Sequence, residues 1–539
     1  MVAGGVSNGS GGAAGFVHRS DFMAFKTESV DDLFARFGRN YRVLVTVSGM
    51  TASFVMVLSG TIVNVAVPDV MGAYGVGQYQ AQLMATAFNV AMTTCQLLNA
   101  WVVAVLGQRY GYLATLIVFT TGSVIAGLAD SFGMLVAGRV LQGMATGIIQ
   151  PLIMVTVFQV FPEERRGLAL GIYSMGLVLA IAVGPPVGGL ALEMLNWRYI
   201  FWLPLPLLLL SVPFGMIFMP SVRKSGGQAF DWLGYALIVV TLFCIMTVLT
   251  DGPRKGWTSD YILILIMLGT FCGLGFVKSQ RRDRETLIDV GLFRNKHFVI
   301  VLFVTFFSGI GNFCTTYAFP VFTQLVQGLT PLDAGFSLLP GMLLAVCLVP
   351  FTGHLADKLE PGKAIMFGLL ILCIGTLPMA WADVNTSLFI VMFYGAIGRF
   401  GTTFVQPFLI NTALRSLERD KLNAGAGTVN FVRQTGGSLG TNAWVVFVDQ
   451  RTLYHSDGFA VTQDPSNEAS RELINAVTRL LNEAGVAQAI QQPGAFHYLG
   501  EVIYAQGITR AFQDGFMILA IAYLIAVIPA WVLSQTRAR

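Results

Sequence analysis

The chain has 539 residues and a formal net charge of +4, and 55% of its residues are hydrophobic but only 12% are charged. That charged share is about half that of an ordinary soluble domain, which excludes a water-soluble fold for most of the chain. Its apolar runs are continuous over about 20 residues, whereas the strands of a membrane barrel alternate apolar and polar residues. The composition therefore predicts an all-α membrane protein.

The amino-terminal region, residues 1–40, is expected to be a cytoplasmic tail followed by an interfacial helix. Its first twenty residues are rich in Gly, Ser and Ala and lack the charged and then apolar layout of a signal peptide. In the following string DDLFARFGRNYRVL, a helical period places Leu33, Phe34 and Phe37 on one side. We expect this helix to lie along the inner membrane surface as an anchor.

Apolar windows between charged or Gly/Pro breaks predict about fourteen spanning helices. Six form an N-terminal half (41–220), two are inserted (221–280), and six form a C-terminal half (281–539). The last half includes a long outer loop, 449–509, whose apolar rhythm predicts a capping helical hairpin. The expected spans are 42–70, 79–104, 111–130, 133–158, 168–194, 199–219, 231–250, 260–277, 298–326, 332–354, 364–382, 385–413, 424–448 and 509–534.

Basic residues predict the orientation of these spans, because Lys and Arg in short loops are retained in the cytoplasm. With the amino terminus inside, most basic loop residues fall on the cytoplasmic side, including the cluster from Lys278 to Lys296. The short outer loops then keep only Arg198, Arg254 and Lys255. We therefore expect a multi-pass protein of the cell inner membrane with both termini in the cytoplasm.

Short polar strings at and between the apolar spans recur in the second half, about 250 residues after their counterparts in the first half. When the inserted pair is left out of the count, VLGQRYGYL after the second span returns as GHLADKLEPGK after the eighth. In the same count Arg139 in the fourth span returns as Arg399 in the tenth, and the glycines of GPPVGG return between Gly436 and Gly440. The repeat predicts two related six-helix halves separated by an extra helix pair.

Five strings along the chain resemble the signatures of the drug:proton antiporter family with fourteen spans, within the major facilitator superfamily. They are TIVNVAVP (61–68), RVLQG (139–143), GPPVGG (184–189), GLTPLDAGFSLLPG (328–341) and NFVRQTGGSLG (430–440). The resemblance implies the major facilitator fold and secondary active export of lipophilic small molecules by proton-coupled antiport. It also implies coupling and gating roles for Arg139, Gln142, Gly143, Gly184, Pro185, Gly188, Gly189 and Asp357.

Two of these motifs have a physical basis that can be stated from the residues. In GPPVGG, Pro185 and Pro186 interrupt the helical hydrogen bonds while glycines permit close backbone contact, which predicts a pliable fifth span or, alternatively, a merely kinked packing helix. Asp357 lies just beyond a helix end, where it can pair with loop arginines or cap a helix and hold the cytoplasmic side closed. The alternative is an ordinary solvated charge. The matching position in the first half is Gln108, so that latch is differently built.

Three arginines, Arg139, Arg399 and Arg433, lie in otherwise apolar spans, where a charge costs about 2.5 to 3.5 kcal/mol on insertion scales. They are expected to serve function or to bind backbone carbonyls between helices. The family commonly has an aspartate where this chain has Ser59, and no expected span has an acid near its middle. Anionic or neutral substrates are therefore favoured, and proton coupling rests on the resemblance.

Polar residues expected to face a central cavity are candidate substrate ligands. Each is alternatively a hydrogen-bonding contact between helices. The candidates are Asn64, Asn89, Gln96, Gln150, Asn312, Tyr317, Arg399, Gln406, Asn430 and Arg433.

Other function classes are weakly supported by the residues. The chain has no GxxxxGK[ST] phosphate loop for a primary pump and no converging nucleophile, acid or metal ligands for an enzyme. A channel is an alternative, but repeated halves favour alternating access. The rival functions are export of an endogenous lipid or fatty acid and uptake of a nutrient. We expect no cofactor, metal or nucleic acid; the expected partners are a lipophilic substrate, protons, membrane lipid and a periplasmic adaptor protein.

Overall fold

The computed structural model describes residues 28–76, 78–221, 230–280, 290–329, 331–419, 421–463 and 466–535, and every regular element in these ranges is helical. The first half contains α1 (Val30–Phe37), α2 (Tyr41–Ile62), α3 (Val67–Tyr74), α4 (Gln78–Cys95), α5 (Asn99–Gly127), α6 (Phe132–Val160), α7 (Arg166–Met194), α8 (Tyr199–Trp202) and α9 (Leu205–Phe218). The inserted pair is α10 (Trp232–Lys255) and α11 (Asp260–Ser279).

The second half contains seven helices within the described ranges. They are α12 (Lys296–Leu325), α13 (Pro331–Leu355), α14 (Pro361–Thr376), α15 (Leu388–Arg415), α16 (Leu422–Val461), α17 (Glu468–Glu483) and α18 (Gln488–Gln535). Short 3₁₀ segments extend or join several helices, at Gly38–Asn40, Val63–Ala66, Glu163–Arg165, Val290–Arg294 and Leu377–Trp381.

Twelve helices of the described chain are long and apolar enough to cross a membrane. The other two expected spans are also helical. The second consists of α4 and the start of α5, which are separated by a turn at 96–98, and Gly107 ends it with a positive φ of 76° that divides α5. The other is α16, the thirteenth of the expected spans, which carries polar residues such as Asn430 and Arg433. The expected all-α fold with about fourteen spans is therefore confirmed.

Side-chain caps mark where several of these helices begin. Ser29 and Asp32 form a reciprocal capping box at α1. Ser131 accepts a hydrogen bond from Met134 N at the start of α6, and Asn295 accepts from the first backbone amides of α12. These caps bind amide groups that no helical carbonyl reaches, so local sequence defines these starts.

The amphipathic helix α1 packs against the first half. Leu33 is fully buried, the rings of Phe34 and Tyr41 lie 5.0 Å apart, and those of Phe37 and Phe218 lie 5.2 Å apart. The three apolar residues thus share one side, as the period predicts. That side packs against other helices of the first half, whereas the sequence predicted that the helix would lie on the membrane surface.

The segment 449–509, for which the sequence predicted a long outer loop with a capping helical hairpin, is mostly helical. Helices α16 and α18 have 40 and 48 residues. At about 1.5 Å per residue, each is about twice as long as the hydrocarbon core is thick. The helix α17 joins them, and Asp514 Oδ2 lies 2.6 Å from Arg451 and 2.8 Å from His455 Nε2. The two spans therefore continue past the membrane as helices.

A large apolar core runs through the first half and continues into the second at one end. Tyr112, Phe119 and Phe158 are buried in it, and Leu414 and Ala426 of the second half belong to the same cluster. These two residues lie near the ends of α15 and α16 to which the basic loops belong. The halves therefore pack together at the end that the sequence assigns to the cytoplasm.

Candidate transport site and gate

Asp357 forms a contact between the two halves. Its side chain is 1% exposed, and its carboxylate accepts hydrogen bonds from Gly167 N at 2.8 Å and Leu168 N at 3.2 Å, in the first turn of α7. Arg415 Nη2 lies 2.8 Å from Asp357 Oδ1 and also donates to Glu163 O at 2.6 Å. A carboxylate is favoured at a helix amino terminus and beside an arginine, so this contact is a charged latch.

Glycines allow α7 and α13 to approach closely beside this latch. A Cβ atom on Gly167 would overlap Gly353 O, and one on Gly171 would lie 2.7 Å from Val349 O. Any larger residue at these positions would push the helices apart. Gly353, the first residue of GHLADKLEPGK, is therefore part of the same contact between the halves as Asp357.

The matching loop of the first half is built differently. Gln108 Nε2 donates to Gln159 Oε1 at 3.0 Å, within its own half. Arg109 donates to Glu28 at 2.6 Å and to Met219 O at 2.8 Å. Neither residue contacts α16. Among the described residues, the cytoplasmic end therefore has one charged latch between the halves, at Asp357, and the matching loop of the first half makes no charged contact with the second half.

Two weaker polar contacts join the halves near the same end. Asn99 Nδ2 donates to Asn423 O at 3.3 Å, and Asn430 Nδ2 lies 3.7 Å from Met154 Sδ. Together with the Asp357 latch, these contacts lie toward the end that carries the basic loops. That arrangement is the one expected of an alternating-access protein that is closed on that side.

Arg139 is fully buried inside the first half and binds three neighbouring segments. Its Nη1 donates to Gln142 Oε1 at 2.8 Å and to Ser59 O at 3.3 Å, and its Nε donates to Met84 O at 3.4 Å. The guanidinium also lies 4.2 Å from the centroid of the Phe88 ring. Arg139 therefore joins α2, α4 and α6 through carbonyl groups.

Gln142 and Gly143 complete this arrangement. Gln142 Nε2 donates to Ser123 Oγ of α5 at 2.7 Å. A Cβ atom on Gly143 would overlap Phe88 O, so glycine is required where α6 approaches α4. Arg139 Nη2 and Ser59 Oγ have no hydrogen-bond partner among the described residues although both are buried. An aspartate in place of Ser59 would lie in the same region as that unpaired donor.

Arg399 and Arg433 are only partly buried and each pairs with a predicted ligand. Arg399 donates to Asn312 Oδ1 at 3.2 Å and to Thr316 Oγ1 at 2.6 Å. Arg433 Nη2 donates to Asn430 Oδ1 at 3.1 Å. The structure thus brings four of the predicted substrate residues together as two arginine–asparagine pairs.

A small cavity beside Arg399 has a volume of about 20 Å³. It lies within the second half, between α12, α13, α14 and α15. A volume of that order holds about one water molecule, so this cavity is too small for a drug-sized substrate.

The other predicted ligands are dispersed. Gln96 is fully buried and neither side-chain atom has a partner among the described residues, while Gln150 Nε2 lies 3.9 Å from Met92 Sδ. Gln406 Nε2 donates to Ser308 Oγ at 3.4 Å. Asn89 and Tyr317 are exposed. The side chain of Asn64 lies outside the described part of the chain.

The GPPVGG motif lies in a helix that continues through it. The helix α7 runs from Arg166 to Met194, although proline has no backbone N–H to donate to the helical hydrogen bonds. A Cβ atom on Gly184 would overlap Thr61 Oγ1, and one on Gly188 would lie 3.0 Å from Ile62 O. The expected close backbone contact is thus made with the first span. The side chains of Pro185 and Pro186 and the surroundings of Gly189 lie outside the described residues.

Several residues of the gate were missed at the level of sequence. The latch needs the backbone amides of Gly167 and Leu168, and amide groups have no sequence signature. Asn411 Nδ2 donates to Ala356 O at 3.0 Å beside the latch, and neither Asn411 nor Asn99 was among the predicted candidates. The only available signal was a polar residue near the cytoplasmic end of a span. Among the described residues, no group of three His, Cys, Asp or Glu side chains is placed to hold a metal ion.

Comparisons with known proteins agree with this architecture. The family model described as Major Facilitator Superfamily matches residues 49–441. The lincomycin resistance protein LmrB of Listeria innocua is 28% identical over 74% of this chain and 84% of its own length. The multidrug export protein EmrB of Haemophilus influenzae is 26% identical over 91% of this chain and 95% of its own.

A solved structure has the same fold. The crystal structure of the human organic anion transporter MFSD10 (TETRAN) superposes with a TM-score of 0.57 at 14% identity, covering 89% of this chain and 99% of that chain. At this identity the likeness concerns the fold alone. The family match, which covers most of the chain, concerns ancestry as well. The chain therefore belongs to the Major Facilitator Superfamily and is a multi-pass membrane transporter rather than an enzyme.

Proposed function

We propose that this transporter exports lipophilic small molecules from a bacterial cytoplasm by proton-coupled alternating access. The observation that carries the proposal is the contact of Asp357 with the first turn of α7, at 2.8 Å from Gly167 N. It joins the two halves at one end and must break when that end opens. A contact that must form and break is expected in a protein whose halves rock against each other, and it is not expected in a fixed pore.

The printed names of relatives support efflux. LmrB is a lincomycin resistance protein and EmrB a multidrug export protein, and both align with most of this chain. Export requires a cytoplasmic opening that admits substrate and then closes. The Asp357 latch is suited to that step, with the termini placed in the cytoplasm by the basic loops.

The partly buried arginines favour anionic or neutral substrates. Arg399 and Arg433 lie in the spans and are hydrogen-bonded to the side-chain amides of Asn312 and Asn430 rather than to acids. An anion gains attraction beside an arginine in a low-dielectric cavity, whereas a permanent cation is repelled and also loses hydration. The described spans have no acidic residue near their middle that would attract a cation and offset this repulsion.

A second candidate function is export of an endogenous fatty acid. The same two arginines support it, because a fatty acid is a lipophilic anion whose carboxylate suits a guanidinium. Proton coupling is proposed for both candidates from the family resemblance, since Ser59 cannot carry a proton as an aspartate does. The helical extension formed by α16, α17 and α18 is the surface that we propose for contact with a periplasmic adaptor.

Transport into everted membrane vesicles tests the proposal. Anionic, neutral and cationic lipophiles of similar size are compared with and without an imposed pH gradient, using vesicles with an empty vector as the control. We expect gradient-dependent accumulation of anionic and neutral compounds. No accumulation of any lipophile would refute export, accumulation that ignores the gradient would refute proton coupling, and faster transport of fatty acids than of drugs would select the second candidate.

A further inference from the structure

The inserted helices α10 and α11 form one fixed unit. Asp231 Oδ1 accepts a hydrogen bond from Gly234 N at 2.7 Å and so caps α10. Its other oxygen, Oδ2, accepts from Ser279 Oγ at 2.9 Å and from Gln280 Nε2 at 2.7 Å, at the end of α11. One carboxylate thus ties the start of one helix to the end of the other, and the two ends move together.

This unit is attached to the second span, at the turn where that span is interrupted. Tyr235 Oη lies 3.0 Å from Cys95 Sγ, at the last residue of α4. The ring of Trp101, at the start of α5, lies 5.5 Å from the rings of both Phe230 and Trp232. Aromatic pairs at such distances stabilise a contact beyond the burial of their surface, so the start of α10 is held to the first half.

Helix α10 also contacts the second half. Leu242 of α10 is buried together with Leu97 of the second span and Phe431 of α16. Phe276 of α11 packs against this cluster. The unit therefore touches one helix from each half, at a corner where the second span and α16 meet.

Among the residues that the structure describes, this corner has no charged latch like the one at α7. At α7 the first backbone amides are bound by Asp357, but the start of α16 at Lys421 has no side-chain cap. Gln108, at the position that matches the latch acid, is hydrogen-bonded within its own half. A Cβ atom on Gly427 of α16 would lie 2.6 Å from Gln96 O, so the two helices are in close contact without a charge between them.

We infer that Tyr235 and Leu242 of α10 are positioning residues of the cytoplasmic gate, which hold the second span against α16 where the described residues include no latch carboxylate. The inference rests on the alternating access of the proposed function. The hydrogen bond of Tyr235 keeps α10 on the turn at 96–98, and Leu242 then fills the space between Leu97 and Phe431. Opening of the gate requires Phe431 to leave this cluster. The inserted pair thus stabilises the closed state at its uncharged corner.

The test measures the gate distance by double electron–electron resonance in nanodiscs, with neither substrate nor pH gradient. Spin labels on Leu106→Cys and Glu418→Cys report the distance between α5 and the loop before α16, and Cys347→Ala removes the exposed native thiol. Tyr235→Phe removes one hydroxyl and Leu242→Ala one buried side chain. Ile264→Ala, on the lipid-facing side of α11 where Ile264 is 58% exposed, is the matched control.

We expect both test variants to increase the fraction of molecules with the longer, open distance by roughly threefold, as loss of one hydrogen bond or apolar contact predicts, and the control to leave it unchanged. Melting temperature is recorded for every variant. A lower melting temperature with an unchanged distance distribution in both variants would overturn the inference and leave α10 as packing. A failure of vesicle transport would refute the exporter assignment instead, because this measurement needs no substrate.

Discussion

Asp357 Oδ1 lies 2.8 Å from the backbone nitrogen of Gly167, although the two residues are 190 positions apart in the chain and belong to different halves. The carboxylate binds the positive end of α7 and the guanidinium of Arg415 at the same time. The hydrogen bonds to α7 are lost when the halves separate at this end, whereas the ion pair with Arg415 lies within the second half. The contact of Asp357 with α7 therefore stabilises the closed state and does not stabilise the open one.

Asp357→Asn is expected to weaken that state while preserving the shape of the side chain. A hydrogen bond to a charged group contributes about 1 kcal/mol more than a neutral one, so the open population should rise roughly fivefold. Labelling of Asn430→Cys, a buried position facing the other half, by an impermeant maleimide from the cytoplasmic side measures this change. The control is Asp457→Asn, at an exposed acid. Equal labelling of both variants would contradict a latch.

Gly188→Leu is expected to trap one access state. A Cβ atom there would already lie 3.0 Å from Ile62 O, so a leucine must push α7 away from the first span. Accessibility of single cysteines from each side of the membrane measures whether the protein still alternates. Gly72→Leu is the matched control, since a Cβ atom on Gly72 meets nothing within 4 Å. Unchanged alternation and transport would show that α7 does not move against α2.

Arg139→Ala is expected to abolish transport and to lower stability. It leaves Gln142 Oε1 and two backbone carbonyls without their donor, and a buried unsatisfied group costs about 1 to 3 kcal/mol. Lysine should restore part of the activity because it keeps the charge but not the planar group. Transport is compared at equal membrane abundance, with exposed Arg510→Ala as the control. Normal transport by Arg139→Ala would exclude a coupling role.

Ser59→Asp is expected to form an ion pair with Arg139. Arg139 Nη2 and Ser59 Oγ are both buried without partners, and Arg139 already donates to the backbone of Ser59 at 3.3 Å. Burying a carboxylate is unfavourable unless a cation pairs with it, so the sign of the effect depends on Arg139. We expect a higher melting temperature in the parent protein and a lower one in Arg139→Ala. The same change in both backgrounds would show that the residues do not interact.

Arg399→Gln is expected to weaken binding of anionic lipophiles about tenfold and to leave neutral ones nearly unchanged, because one charged hydrogen bond is replaced by a neutral one. Competition binding on purified protein measures both classes. The control is Arg479→Gln, at an exposed arginine of α17. Quaternary ammonium dyes that bind more tightly than fatty acids of similar size would contradict the preference for anions.

The order and approximate ends of the spanning helices were predictable from the sequence, because each span must bury its backbone hydrogen bonds and expose apolar side chains to lipid. The expected spans 133–158 and 260–277 differ from α6 and α11 by a few residues at each end. The outer ends of α16 and α18 were not predictable in this way. Their polar extensions lie beyond the membrane, where hydropathy no longer distinguishes a helix from a loop.

The sequence by itself determined the family, the helix count and the presence of buried arginines, since these depend on local composition and on motif strings. Only the tertiary structure decided what each charge binds. Arg139 is enclosed by carbonyls of α2 and α4, whereas Arg399 pairs with Asn312 near the cavity. The partners of Asp357 are amides of a helix 190 residues away. Such contacts depend on how whole helices pack, and no local pattern encodes a backbone amide as a partner.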